Sequence, residues 1–232
     1  MLALNKLSSG SISTHGSTDP KLDGCSIYNN SSNSTALTVG GSGKISALSV
    51  GVVSGISGGT AITTIQGTST GLPPIQDPYA KVDVPFFAGC SQTNFSAKEI
   101  VTINPGVYCG GMQISAGAIV TLTPGIYYLD RGELSINGGG AIMGAGVTLI
   151  FTSSTMRNWA TASINGNAIV TLTPPTSGPT AGIVMFGDRN MPVGTQINLN
   201  GGTSQYLGGA IYFPTGAISF GGELPPQRAV RS

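Results

Sequence analysis

The chain has 232 residues, of which only 8% are charged and 36 are glycine, and its formal net charge is +1. Its basic residues are scattered, which excludes a phosphate-neutralising stripe for nucleic acid, and no apolar run is long enough to span a bilayer. Hydrophobic residues make up 40% of the chain, which argues against disorder.

The first 66 residues contain short alternating segments that are typical of half-buried strands. Gly, Ser and Asn separate these segments, and none has apolar residues at helical spacing over three turns. The predicted strands are Leu2–Leu4, Ser11–Ser13, Ser26–Tyr28, Ala36–Val39, Lys44–Leu48 and Val50–Val53.

Residues 67–90 form a different, proline-rich segment. Pro73, Pro74, Pro78 and Pro85 would interrupt a backbone hydrogen-bond ladder. We therefore expect an extended connection that lies along the outside of the scaffold and joins two sets of coils.

Two short phrases recur in the rest of the chain. Val101–Tyr108 (VTINPGVY) returns as Val120–Tyr127 (VTLTPGIY), and its opening returns at Val170–Pro174. The second phrase, an aliphatic residue followed by a turn, begins at Ile114, Ile136, Ile164 and Leu199, at intervals of 22, 28 and 35 residues. The predicted strands are Ile100–Tyr108, Ile119–Leu129, Val147–Phe151, Ile169–Leu172, Ile183–Phe186, Ile197–Leu199 and Ala210–Phe213.

Recurring strands and turns of this kind indicate stacked coils. The sequence predicts an all-β protein, a parallel β-helix (β-solenoid) with irregular rungs and the Pro-rich segment packed alongside. An antiparallel β-sandwich explains the strand lengths but not the constant order of the turns. Residues 1–222 are expected to form one domain, with N-terminal coils at 1–66, the connection at 67–90 and regular coils at 91–222. The tail, 223–232, is expected to be disordered or foreign to the natural protein.

Two of the three cysteines flank a strand-like segment. A bridge between Cys90 and Cys109 would close a loop of about 20 residues and contribute about 3 kcal/mol; three free thiols are the alternative. Cys25 is left over. Without CxxC spacing, and with His15 as the one histidine, no zinc site is expected, and no cofactor is predicted.

The repeats resemble a known family. Pro105–Ser115, Val120–Asp130, Ala181–Asn190 and Gly209–Pro214 are similar to the C-terminal region of bacterial Tad (Flp) pilus-assembly proteins of the TadG/TadE-like group. The resemblance implies an exported domain at the bacterial cell surface, with pilus or envelope proteins as partners. It also implies an N-terminal membrane helix that this sequence lacks, and a cysteine at the position of Met1 that would account for Cys25.

The parallel β-helix is also the fold of pectinolytic enzymes, which need clustered acidic residues. Asp130 and Glu133 lie close in sequence, and Asp188 follows another strand. We expect these acids to form salt bridges or to cap turns, and we expect no enzyme. Trp159 lies in an insertion, where it either contacts a partner or carbohydrate or folds back onto the coil.

Asn137, Asn165 and Asn200 occupy matching places in the second phrase and are predicted to stack. The sequence as a whole favours a non-catalytic extracellular module with a structural or adhesive role. A carbohydrate-binding or polysaccharide-degrading protein is the alternative, with surface polysaccharide as its partner. Self-assembly through exposed end rungs is compatible with the first hypothesis.

Overall fold

The computed structural model describes residues 1–14, 21–22, 24–165, 167–200 and 205–221. The predicted all-β class is confirmed, since these residues contain many strands, one 3-10 turn at Gly59–Ala61 and no α-helix. Within them, no helix is long and apolar enough to cross a membrane. The chain divides into two compact units, Met1–Ala80 and Lys81–Gly222. The predicted tail, residues 223–232, lies outside the described residues.

The first unit is built from short strands that pair only in parallel among the residues described. The chain visits three sheets in rotation, so that the sheet orders are β1-β4-β7-β10, β2-β5-β8 and β3-β6-β9. These strands are β1 Leu2–Ala3, β2 Ile12–Thr14, β3 Lys21–Leu22, β4 Ile27–Asn29, β5 Leu37–Val39, β6 Ile45–Ala47, β7 Val50–Val52, β8 Ile56–Ser57, β9 Ile62–Thr64 and β10 Thr68–Ser69.

The core of the first unit consists of aliphatic side chains from successive strands, among them Ile27, Leu37 and Ile45. Asn29 is also fully buried. Its amide donates to the Ala36 carbonyl, and its Oδ1 accepts from the Ser31 backbone N–H. A buried amide is tolerated here because it has hydrogen-bond partners for its donor and its acceptor.

The second unit has longer strands, and its described pairs are also parallel. They are β11 Gln92–Ala97, β12 Ile100–Ile103, β13 Gly106–Ile114, β14 Ile119–Leu122, β15 Gly125–Asp130, β16 Glu133–Ile136, β17 Ala141–Gly144, β18 Val147–Thr152, β19 Thr161–Ile164, β20 Ile169–Leu172, β21 Ile183–Gly187, β22 Gln196–Asn200, β23 Gln205–Leu207, β24 Ala210–Tyr212 and β25 Ala217–Gly221. The segments Ile100–Tyr108 and Ile119–Leu129, predicted as single strands, are each divided in two at the proline of the repeat.

These strands form a ten-stranded and a five-stranded sheet. The larger has the order β24-β21-β18-β15-β13-β16-β19-β22-β25, with β11 also paired to β13; the smaller has the order β12-β14-β17-β20-β23. The first half of β13 pairs with β15 and its second half with β16. Gly110 and Gly111 lie between these halves with left-handed φ values of 81° and 98°, which allows the change of direction.

Pairing follows the repeat intervals of the sequence. Ile114 pairs with Ile136, Ile136 with Ile164, and Ile164 with Leu199. All four side chains belong to one buried cluster, with exposed fractions of 1% or less. Equivalent positions of the second phrase therefore lie directly on one another, although the chain between them varies from 22 to 35 residues.

The turns that follow these strands also stack. Each closes with a backbone hydrogen bond, from Ala118 to Ser115, from Gly140 to Asn137 and from Ala168 to Asn165. Gly117, Gly139 and Asn167 have left-handed φ values in successive turns, a conformation that glycine and asparagine adopt more readily than other residues. The Asn165 amide donates to Asn137 Oδ1 at 3.4 Å, so two of the three predicted asparagines stack. Asn200 is exposed.

Residues 82–90, which we call the strap, cross the ten-stranded sheet. The Val82 carbonyl accepts from the Arg189 guanidinium, the Phe87 ring stacks on Tyr128 at 4.8 Å, and Cys90 is joined to Cys109. Arg189 follows β21, Tyr128 lies on β15 and Cys109 lies on β13. The strap therefore passes over about three strand spacings, or roughly 14 Å.

Beneath the strap is a column of large side chains that faces away from the main core. Its members are in register: Val107, Tyr128, Ile150, Phe186 and Tyr212. Ile150 and Phe186 are fully buried, and the Arg189 guanidinium lies 5.4 Å from the centre of the Tyr212 ring. The ten-stranded sheet therefore buries apolar side chains on both faces, which explains why every residue of Val147–Thr152 is buried.

The corner glycine Gly125 gives a test of the stacking. Its φ is 142°, and an added Cβ would lie 2.3 Å from Pro105 Cγ in the preceding corner. We expect Gly125→Ala to lower the free energy of unfolding by about 2 kcal/mol more than Gly117→Ala. Gly117 also has a left-handed φ, but its Cβ would meet nothing within 4 Å. Urea unfolding measures the difference; equal losses would contradict the close approach of the corners.

Candidate functional site

Polar residues collect where neighbouring strands of the ten-stranded sheet end. Cys109 on β13 pairs with Asp130 on β15, and Asp130 pairs with Thr152 on β18. Asp188 follows β21 and donates its backbone N–H to the Phe151 carbonyl. The parallel strands thus bring Asp130 and Asp188, predicted to form salt bridges or to cap turns, to one edge of the sheet, with β18 between them.

Asp130 is 2% exposed, and both oxygens of its carboxylate accept hydrogen bonds. Its carboxylate accepts from the backbone N–H of Ser154 at 2.7 Å, from the Ser154 hydroxyl at 2.8 Å and from the Arg131 guanidinium at 2.9 Å. Burial raises the pKa of this carboxyl, but the bonds from Ser154 and Arg131 and the charge of Arg131 outweigh it. The pKa of Asp130 therefore lies below its ordinary value.

Asp188 is buried in a similar way. Its Oδ2 accepts from the Thr152 hydroxyl at 2.6 Å, and its Oδ1 accepts from the backbone N–H and the side-chain amide of Asn190. The bond to the residue two positions on is an Asx turn. Asp188 therefore fixes the start of the loop after β21, as the prediction of a turn cap implies.

Glu133 differs from both aspartates because it is exposed at the start of β16. The one ion pair found in the described part of the chain joins Arg131 to Asp130. In that same part, no three His, Cys, Asp or Glu residues are grouped so that they could hold a metal ion. The three acids therefore do not form one cluster.

Trp159 lies in the insertion between β18 and β19. It is half-buried and packs against the main core cluster. Met156 in the same insertion is 58% exposed. Of the two alternatives given by the sequence, the structure places Trp159 back against the coil.

The insertion is held to the sheet by hydrogen bonds that the sequence did not suggest. Asp130 binds Ser154, and the Ser153 hydroxyl accepts from the Arg157 backbone N–H at 3.0 Å. Met156 and Asn158 have left-handed φ values of 56° and 51°. Such values are rare for residues other than glycine and persist where the surroundings enforce them.

A shallow depression of about 360 Å³ lies beside the disulfide. Its lining residues are Thr93, Cys109, Gly110, Arg131, Gly132 and Asn158. Arg131 has a φ of 63°, and its side chain is 34% exposed. The predicted Cys90–Cys109 bridge is present, with Cys90 exposed and Cys109 3% exposed, and Cys25 is free. A disulfide is consistent with an oxidising compartment.

The two aspartates at this edge already accept hydrogen bonds from the protein, which limits the chemistry that they can perform. Two strand spacings separate the backbones at Asp130 and Asp188 by about 10 Å, and the two carboxyl groups of an inverting glycosidase lie about 6.5–9.5 Å apart. Such an enzyme needs an acid with a raised pKa, whereas the pKa of Asp130 is lowered. Both carboxylates are buried and accept hydrogen bonds from the protein.

Comparison with protein-family models, with curated proteins and with solved structures finds no match.

The role of Asp130 predicts a pH-dependent loss of stability. Asp130→Asn should lower the free energy of unfolding by about 1–3 kcal/mol at pH 7, since it removes charge-assisted bonds from a buried group. The carboxylate stabilises the fold above its unfolded pKa of about 3.9, and this contribution is lost as the pH falls through the lower folded pKa. The difference between wild type and variant should thus shrink below about pH 3.9.

Urea unfolding at pH 7 and pH 3 measures this difference. Glu133→Gln is the control, and as an exposed substitution it should stay within about 0.5 kcal/mol of wild type at pH 7. A difference between wild type and Asp130→Asn that is the same at both pH values would contradict the assignment.

A second prediction concerns Trp159. Trp159→Ala should cost about 2 kcal/mol, roughly half the loss for a fully buried aromatic residue, because the indole packs on the core. Met156→Ala, in the same insertion, should cost less than about 0.5 kcal/mol. If both variants unfold at the wild-type urea concentration, Trp159 does not stabilise the coil.

Proposed function

We propose that this chain is a non-catalytic, extracellular structural or adhesive module, built as a parallel β-helix and associated with a bacterial Tad (Flp) pilus. The observation that carries the proposal is the register of the repeats: Ile114, Ile136, Ile164 and Leu199 pair in sequence. Within the second unit, a stack of this kind is stiff, and its regular outer faces are suited to contact rather than to catalysis.

The β-helix interpretation is supported by the path of the chain. In the first unit, successive strands belong to three sheets in rotation. In the second unit, the chain passes in turn through the half of the large sheet that contains β15, the half that contains β16, and the small sheet. Each return adds a parallel strand beside the previous one, which is how a coil lengthens.

A non-catalytic role is supported by the state of the acids. Asp130 and Asp188 are buried and hydrogen-bonded, and Glu133 belongs to another strand. The extracellular assignment draws on the Cys90–Cys109 bridge, and the pilus association draws on the resemblance of the repeats to TadG/TadE-like proteins.

The adhesive surface in this proposal is the outer face of the five-stranded sheet. Its strands carry no charged residue. Thr102 and Thr121 are paired neighbours on it, and Ile100, Ile169 and Tyr206 are 76%, 43% and 42% exposed. An uncharged face that leaves this much apolar surface in water is typical of a contact surface.

Cosedimentation with isolated Tad pili tests the proposal. The wild-type chain should pellet with the filaments, and Thr102→Lys with Thr121→Lys should reduce the pelleted fraction at least about tenfold, since two charges would be buried at the contact. The control is Ser135→Lys with Ser163→Lys, another pair of in-register neighbours on a different sheet. Release of reducing sugar from a polysaccharide, dependent on Asp130 or Asp188, would refute the non-catalytic role.

A further inference from the structure

We propose that the Cys90–Cys109 disulfide is a redox latch for the strap, and that the Asp130–Arg131 ion pair controls how fast a dithiol opens it. The proposal goes beyond a structural or adhesive role and uses contacts of the second unit alone. It assigns Asp130 and Arg131 a role in addition to holding the insertion after β18.

The two sulfurs of the latch lie in different surroundings. Cys90 is exposed at the end of the strap, whereas Cys109 is 3% exposed within β13. An incoming thiolate therefore reaches the Cys90 sulfur. Cys109 is then the leaving group, and the ease with which it accepts negative charge sets the rate.

Charged groups of both signs face the leaving sulfur. The Cys109 Sγ lies 3.5 Å from Asp130 Oδ2. That oxygen also accepts from Nη2 and Nε of Arg131, at 2.9 and 3.1 Å, and Arg131 lines the same depression as Cys109. The carboxylate opposes a thiolate at Cys109 and the guanidinium favours it. Because the two charges are paired, the disulfide is reduced at a rate between those expected with the carboxylate alone and with the guanidinium alone.

The exchange step is balanced by the two thiols of the reductant. The first thiolate attacks Cys90 Sγ, the sulfur–sulfur bond to Cys109 breaks, and Cys109 leaves with the electron pair. The second thiol then displaces Cys90 from the mixed disulfide and closes the oxidised, cyclic reductant. Two electrons and two protons pass from the dithiol to the two cysteines.

Opening the latch leaves the strap with weaker anchors. Phe87 remains stacked on Tyr128, and the Val82 carbonyl remains bound to Arg189. These contacts are non-covalent, so residues 82–89 should open more often and give water access to the apolar column at Tyr128, Ile150 and Phe186. Reduction would thus convert a covered sheet face into an intermittently exposed one.

The test measures the rate of reduction by dithiothreitol in the full chain. All proteins carry Cys25→Ser, so that the free thiol cannot take part. Thiols are trapped at intervals and counted by mass spectrometry, under native conditions in which the rate is proportional to dithiothreitol. Asp130→Asn leaves Arg131 beside the sulfur and should be reduced about three- to tenfold faster; Arg131→Gln leaves Asp130 and should be reduced at least about twofold more slowly.

Opposite signs separate electrostatic control from simple loss of stability. Asp188→Asn is the matched control, a second buried carboxylate at a strand end, and its reduction rate should equal that of the parent. If Asp130→Asn and Arg131→Gln are both faster, or if Asp188→Asn is accelerated as much as Asp130→Asn, local unfolding explains the rates and the proposal fails. Unchanged rates in both variants also overturn it.

Hydrogen exchange of the reduced parent tests the latch itself. Peptides that cover residues 82–89 should exchange at least about tenfold faster after reduction, while peptides from the buried strand β18 should not change. Equal exchange of the strap in the oxidised and reduced proteins would show that the disulfide does not hold it.

Discussion

Parallel pairing between one turn of the chain and the next is the constraint on which the structure depends. The chain has few charged residues that could form ion pairs. Its backbone N–H and C=O groups form hydrogen bonds with the neighbouring turn, and aliphatic side chains in register fill its interior. The register tolerates insertions because only the paired residues are fixed. The loop after β18 lengthens its turn while Ile136 still meets Ile164.

This constraint also determines where polar groups can be buried. Parallel strands end at a common edge, so side chains far apart in sequence meet there. Asp130, Thr152 and Asp188 use that edge to hold the loops that leave it. The two aspartate carboxylates replace backbone partners that irregular loops lack, which explains why a chain with so few acids buries two of them.

The sequence was sufficient for the class of structure and for much of the core. Alternating Ile, Val and Thr predicted strands, and the repeat intervals from Ile114 to Leu199 match the separations of the residues that the structure pairs. It did not identify the strands Glu133–Ile136 and Thr161–Ile164. The left-handed Arg131 and the bonds from Ser154 to Asp130 had no local signal, since they result from contacts between different turns.

The strap shows how one extended segment can cover the outer face of such a fold. A parallel sheet with apolar residues on both faces needs a cover on its outer side. A further strand cannot provide that cover, because a strand adds to an edge and not to a face. An extended segment without a ladder of its own can cross the strands, and Pro85 removes a backbone donor that pairing at the edge would need. Because the strap has no backbone ladder, contacts at Val82, Phe87 and Cys90 hold it in place.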